Sequence, residues 1–181
     1  LMLREDGIVF DDGTTSRLSE QHYFMTTTTS NAASVLSHME YYFQVHWPDL
    51  DVKIASVTEQ WAAMAIAGPN SRKVLEKVLS AEDVSDEVLP FMGVKEFFIN
   101  GIPAIVFRIS FSGELAYEIN VAADYGEYVW NHIMEKGVSE NIIPCGTEAM
   151  GIMRIEKGHV AGGELDGRTT ADDLGLNKLL S

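Results

Sequence analysis

The chain has 181 residues, 46% of them apolar, which is enough for one full core or two small ones. Thirteen basic residues against twenty-seven acidic ones leave a formal charge of −14, so nucleic acid and anionic membrane surfaces are excluded as natural partners. One cysteine, Cys145, excludes an intrachain disulfide and fits a reducing compartment, with the cytoplasm expected; no apolar run approaches the roughly eighteen residues of a membrane span, and no basic-then-apolar leader is visible.

In chain order, residues 7–10 and 22–28 read as strands joined by a polar loop that ends in Ser19-Glu20-Gln21. Ser30 or Asn31 then caps a helix that carries Val35, Met39, Tyr42 and Phe43 at helical spacing and ends before Trp47-Pro48. Residues 52–57 and 61–67 are expected strands. Gly68-Pro69-Asn70-Ser71 closes the second and opens a helix to Leu79, with Val74, Leu75, Val78 and Leu79 inward. An acidic connector, 81–88, leads through Leu89-Pro90-Phe91-Met92 to a hairpin of 95–99 and 103–109 around Asn100-Gly101. A strand at 115–121, a helix at 124–136 stopped by Gly137 and a helix at 147–157 stopped by Gly158 follow, before a polar loop and short terminal helix in 162–181. This order predicts an α+β fold of antiparallel sheets with packed helices, in two halves, 1–88 and 89–181, that share a strand-strand-helix rhythm. The opening on Leu1-Met2 rather than an initiating methionine predicts a piece of a longer polypeptide, truncated at both ends.

Two places carry candidate chemistry. Across 115–121, Leu115, Tyr117, Ile119 and Val121 share one strand face, and Ala116, Glu118 and Asn120 the other. Glu118 thus stands mid-strand beside a small residue, where its carboxylate can accept paired N–H donors from a flat polar heterocycle; the alternative is a sheet face turned to water. In Asp11-Asp12-Gly13, an extended segment would put Asp12 on the face of Ile8 and Phe10, at an apolar rim suited to proton transfer, and point Asp11 the other way. The alternative is turn chemistry alone. Gly-x-Gly-x-x-Gly, Walker A and His-Glu-x-x-His patterns do not occur, and the five histidines lack metal-ligand spacing, so no metal site is expected. Cys145 reads as a packing residue, and the run from Thr26 to Thr29 as strand propensity or a hydroxyl lining.

Met2-Leu3-Arg4-Glu5-Asp6-Gly7 with Phe10-Asp11-Asp12-Gly13, Met25-Thr26-Thr27-Thr28-Thr29, Ser56-Val57-Thr58-Glu59-Gln60-Trp61, Ala67-Gly68-Pro69, Pro90-Phe91-Met92, residues 107–121, Gly146-Thr147-Glu148-Ala149-Met150 and Arg154-Ile155-Glu156-Lys157-Gly158 together resemble a known family from end to end. It is the folate-binding, aminomethyltransferase-like region at the C-terminal end of heterotetrameric sarcosine oxidase alpha subunits, similar in turn to glycine-cleavage T-proteins and dimethylglycine dehydrogenases. The resemblance implies a tetrahydrofolate-binding domain that captures the one-carbon unit of the iminium from sarcosine oxidation as 5,10-methylene-tetrahydrofolate, within an oxidoreductase complex whose FAD, FMN and NAD sites and other subunits lie elsewhere. It places the carboxylate that acts at the reacting nitrogens on Asp12, with Asp11 second, and the pterin-gripping glutamate on Glu118. Ile109 and Phe111 match positions packed beside the pterin, Thr28 a position near the ligand, and Arg154 an arginine that is structural or close to the ligand. Where T-proteins carry an Arg-Asp pair this chain has Met150-Gly151, which turns the resemblance toward sarcosine oxidase; residues 158–163 and Thr170-Ala171 also depart from the family's pattern. The alternatives are a T-protein-like aminomethyltransferase and a non-catalytic scaffold with a vestigial folate pocket.

Overall fold

The computed structural model describes residues 1–180, which pack as two units: 1–58 with the described residues from 160 onward, and 59–159. Ser181, the last residue of the expected second half, lies outside the described residues.

The first unit holds two small antiparallel ladders. Met2–Leu3 (β1) pairs with Val9–Asp11 (β2), and Thr15–Ser19 (β3) with His22–Met25 (β4). β3 was expected to be loop; its burial alternates along the strand, with Ser16 and Leu18 turned inward, and pairing with β4 satisfies its backbone. β2 is tied to the chain's far end, since Val9 N–H donates to Thr169 O at 2.9 Å and Ile8 bridges to Thr170. Helix α1 spans Ala32–Tyr41 and widens into a π-helical turn at Tyr42–His46, ending at Trp47 as the following proline requires. Asn31 holds the N-cap position, but its Nδ2 donates to Phe10 O at 3.3 Å instead of capping.

Residues 52–57, expected as a strand, form no regular structure, because no neighbouring chain offers them a ladder among the described residues and Val52 stands exposed.

The second unit is a four-stranded antiparallel sheet of Trp61–Ala67 (β5), Val94–Ile99 (β6), Ile102–Phe107 (β7) and Ala116–Ala122 (β8), in the order β5-β8-β7-β6. The β6–β7 connection is the expected Asn-Gly turn, with φ of 51° at Asn100 and 84° at Gly101, the left-handed pair such hairpins need. Helices α2 (Ser71–Val78) and α3 (Gly126–Gly137) cover one face. Beneath them lie Met64, Ile66, Phe97, Ile99, Val106, Tyr117, Ile119 and Val121, packed against Val74, Leu75, Val78, Leu79, Val129 and Ile133. α3 runs past Gly137 into a tight turn at Val138–Glu140, and the left-handed residue that ends it is Asn141, φ 58°. α4 (Thr147–Lys157) stops at Gly158, φ 84°, as expected. The 162–180 segment forms short helical turns at Gly162–Glu164 and Asn177–Leu179, with a further turn over 171–175 between them, in place of a terminal helix.

The unit boundaries fall elsewhere than the expected division at 88/89. β5 and α2, from the first half, share a sheet and a core with β8 and α3 from the second, because the seven-residue β5–β8 ladder binds them into one body.

Candidate functional site

The β8 register fixes which way Glu118 faces. Tyr117, Ile119 and Val121 are fully buried under the helices, so Ala116, Glu118 and Asn120 lie on the opposite face, as the alternation predicts. There Glu118 stands between Ala65 of β5 and Phe107 of β7, and Ala63 flanks Asn120 in the next row. Glu118 is half-buried, and Asn120, only 3% exposed, donates from Nδ2 to Glu118 Oε1 at 2.9 Å. One carboxylate oxygen is thereby oriented by a rigid neighbour, while Oε2 remains for a donor laid across the alanines. Asn120 as the holder of Glu118 was missed at the level of sequence, although both residues sit on one strand face two positions apart.

Further along this unit, Ile109 is half-buried and Phe111 is 44% exposed. The Phe111 ring centroid is 6.0 Å from that of His159, and the Phe111 carbonyl oxygen lies 3.1 Å from His159 Nδ1, a contact in which a protonated Nδ1 donates. Arg154 Nη1 donates to His159 O at 3.1 Å, closing the end of α4. Gly113, φ 85°, sits against the Lys157 side chain, where an added Cβ would approach Lys157 Cδ to 2.8 Å.

The first unit contains a cavity of about 410 Å³ lined by Arg4, the three residues of β2, Thr28, Ser30, Asn31 and the segment that carries Gly162, Gly163 and Gly167. Asp11 belongs to its lining and is 1% exposed. Its Oδ1 accepts the Asp12 N–H at 2.9 Å, and its buried Oδ2 has no hydrogen-bond partner among the described residues. The expected facing is thus reversed. Val9 and Asp11 are the buried pair of β2, and Asp12 is half-buried beyond the strand's end. Thr28 lines the same cavity, and Gly162 must be glycine there, because a Cβ would come within 2.6 Å of Thr28 Cγ2.

A desolvated carboxylate oxygen without a donor is costly, on the order of 1–3 kcal/mol, unless a ligand's cationic or N–H group meets it. The Asp11 cavity therefore suits a nitrogen-bearing ligand, and the Glu118 shelf suits a flat ring with adjacent N–H donors. Among the described residues no group of three or more His, Cys, Asp or Glu is placed to hold a metal ion, and no helix is long and apolar enough to cross a membrane.

The model of the GCVT N-terminal domain family matches residues 1–181, and the chain belongs to that family. Its mixture of helices with antiparallel sheets is the architecture expected of such a domain. The chain is similar to sarcosine oxidase subunit alpha of Rhizobium meliloti (strain 1021), 52% identical over 183 residues, covering 100% of this chain and 18% of that protein. It is also similar to sarcosine oxidase subunit alpha of Corynebacterium sp. (strain U-96), at 45% over 183 residues, covering 100% and 19%. Mitochondrial dimethylglycine dehydrogenase of Homo sapiens is 32% identical over 176 residues, covering 97% and 20%. The chain thus spans about a fifth of the length of these relatives.

Proposed function

We propose that this chain is the tetrahydrofolate-binding part of a sarcosine oxidase alpha subunit, and that it captures the one-carbon unit of the iminium formed when sarcosine is oxidised elsewhere in the complex. The observation that carries the reading is the buried Asp11 oxygen with no donor in a 410 Å³ cavity, in a chain 52% identical to a sarcosine oxidase alpha subunit. Each unit on its own offers groups that suit such a cofactor: in the second, Glu118 can accept adjacent N–H groups of the kind a pterin edge carries, and in the first, Asp11 can accept a proton or positive charge from a nitrogen. When bound, tetrahydrofolate supplies the nucleophilic nitrogens that take up the carbon as 5,10-methylene-tetrahydrofolate.

The chain's own residues bind, orient and move a proton. In the second unit Glu118, held by Asn120, fixes the ring over Ala65, with Ile109 and Phe111 as apolar packing and Arg154 as a supporting position, while in the first unit Thr28 supports the Asp11 cavity. Asp11 accepts the proton or stabilises the cationic nitrogen, and Asp12 orients it through its N–H. FAD, FMN and NAD belong to the rest of the complex, as do the partner subunits, and the whole works in the cytoplasm.

In the full polypeptide with its partner subunits, Asp11→Asn is expected to abolish methylene transfer while sparing sarcosine oxidation, with formaldehyde released in its place. Asp12→Ala, which keeps the backbone N–H that Asp11 accepts, is the paired variant and tests the second carboxylate. If neither alters the partition between methylene transfer and formaldehyde, the reading is wrong.

A further inference from the structure

The charged residues lining the first unit's cavity are one of each sign, Asp11 and Arg4. Arg4 follows β1, which pairs with β2 through Met2 opposite Asp11, so the same two-stranded ladder carries both charges. Its guanidinium is held at one place, where Nη2 binds Asp6 Oδ2 at 2.5 Å, and Nη1 passes near Gly167, where an added Cβ would be 3.8 Å away. Gly167 is itself part of the cavity lining. A guanidinium presents five donors in a planar fork, so one aspartate leaves an edge available for a second carboxylate.

We propose that Arg4 is the specificity residue of this cavity, reading the carboxylate of a small zwitterion whose cationic nitrogen is met by Asp11; the assignment rests on the function proposed above. An N-methylene iminium derived from an amino acid has these two ends. A buried anion alone would accept any small cation, including simple alkylamines. Arg4 adds the second end and selects the donor that still carries its carboxylate. Gly162, Gly163 and Gly167 leave part of the wall free of side chains, and the lining residues other than Arg4 and Asp11 are uncharged.

The test uses the full polypeptide in its native assembly, with glycine as the two-ended probe and methylamine and acetate as one-ended probes. Amide hydrogen exchange in residues 2–11 is the readout. Glycine is expected to slow exchange there at concentrations roughly ten- to hundredfold below those needed for methylamine or acetate. Arg4→Gln should bring glycine down to the level of methylamine, and Arg4→Lys should restore part of the difference. A wild-type protein that responds equally to glycine and methylamine would overturn the assignment, as would an Arg4→Gln protein that keeps the glycine preference.

Titration of Arg4→Gln with tetrahydrofolate and with tetrahydropteroate separates a second source of carboxylate. Equal, unchanged affinities are expected, whereas selective loss for the glutamylated form would assign Arg4 to the cofactor's tail and sink the proposal. The outcomes also separate the two readings. Loss of capture in Asp11→Asn alongside an inert Arg4→Gln removes only the role of Arg4, whereas absence of folate binding in the wild type removes the proposed function itself.

Discussion

At Asp11 the chain keeps a carboxylate that folding alone would discard. Its Oδ2 is buried without a partner among the described residues, so Asp11→Asn, or Asp11→Leu where volume allows, should leave stability unchanged or raise it. A gain of about 1 kcal/mol would appear as a rise of roughly 2–4 °C in the thermal midpoint, alongside the loss of methylene transfer. A drop of several degrees would mean that the carboxylate is structural. Asn120→Leu makes the matching case on β8. It should weaken folate binding about tenfold by freeing Glu118, with Glu118→Gln at least as severe, both read by titration of the intact enzyme. The orientation of Glu118 was legible because Tyr117, Ile119 and Val121 alternate with Glu118 and Asn120 along β8. The choice between Asp11 and Asp12 was not. The facing of β2 is set by Thr169 and Thr170, which anchor it from the far end of the chain, and no local pattern records them.

Elements whose own residues carry their stop and start signals were readable: the Asn100-Gly101 hairpin, α2 with its inward Val74, Leu75, Val78 and Leu79, and α4 with Gly158. Those whose state depends on a partner were not, which is why β3 appears unannounced and 52–57 has no strand. The connector between α2 and β6 shows such dependence in its charges. Asp86 Oδ1 accepts from both Arg72 and Arg108, the latter at 2.6 Å, while Arg72 Nε also donates to the buried Tyr117 hydroxyl at 2.9 Å. The hydrogen bond from Arg72 holds the Asp86 carboxyl below its ordinary value of 3.8, and Arg108 adds to the effect. A depressed pKa in the folded state stabilises above the unfolded value and is lost as pH falls through the folded one. Asp86→Asn should therefore lower the thermal midpoint at about pH 6, and the deficit should vanish as pH falls through the depressed folded-state value, where the wild type itself loses the pair. A variant deficit that persists unchanged at acid pH would place the effect in packing.

On the scale of the whole chain, two units with separate cores predict separable responses. Leu75 is fully buried at the centre of the α2–sheet core, so Leu75→Ala should cost about 2–5 kcal/mol. Hydrogen exchange should report that loss in β5 to β8, α2 and α3, and leave the amides of α1 and β2 close to their wild-type rates. Uniform acceleration through both units would mean that they unfold as one. The sheet order also sets a timetable for folding. The β6–β7 hairpin closes over two residues within microseconds, but β5 waits for β8, its neighbour in the sheet, about fifty residues further along. Until that pairing the alanine-rich edge strand has no ladder to join, so the nascent chain acquires the shelf on which Glu118 stands only after β8 has emerged.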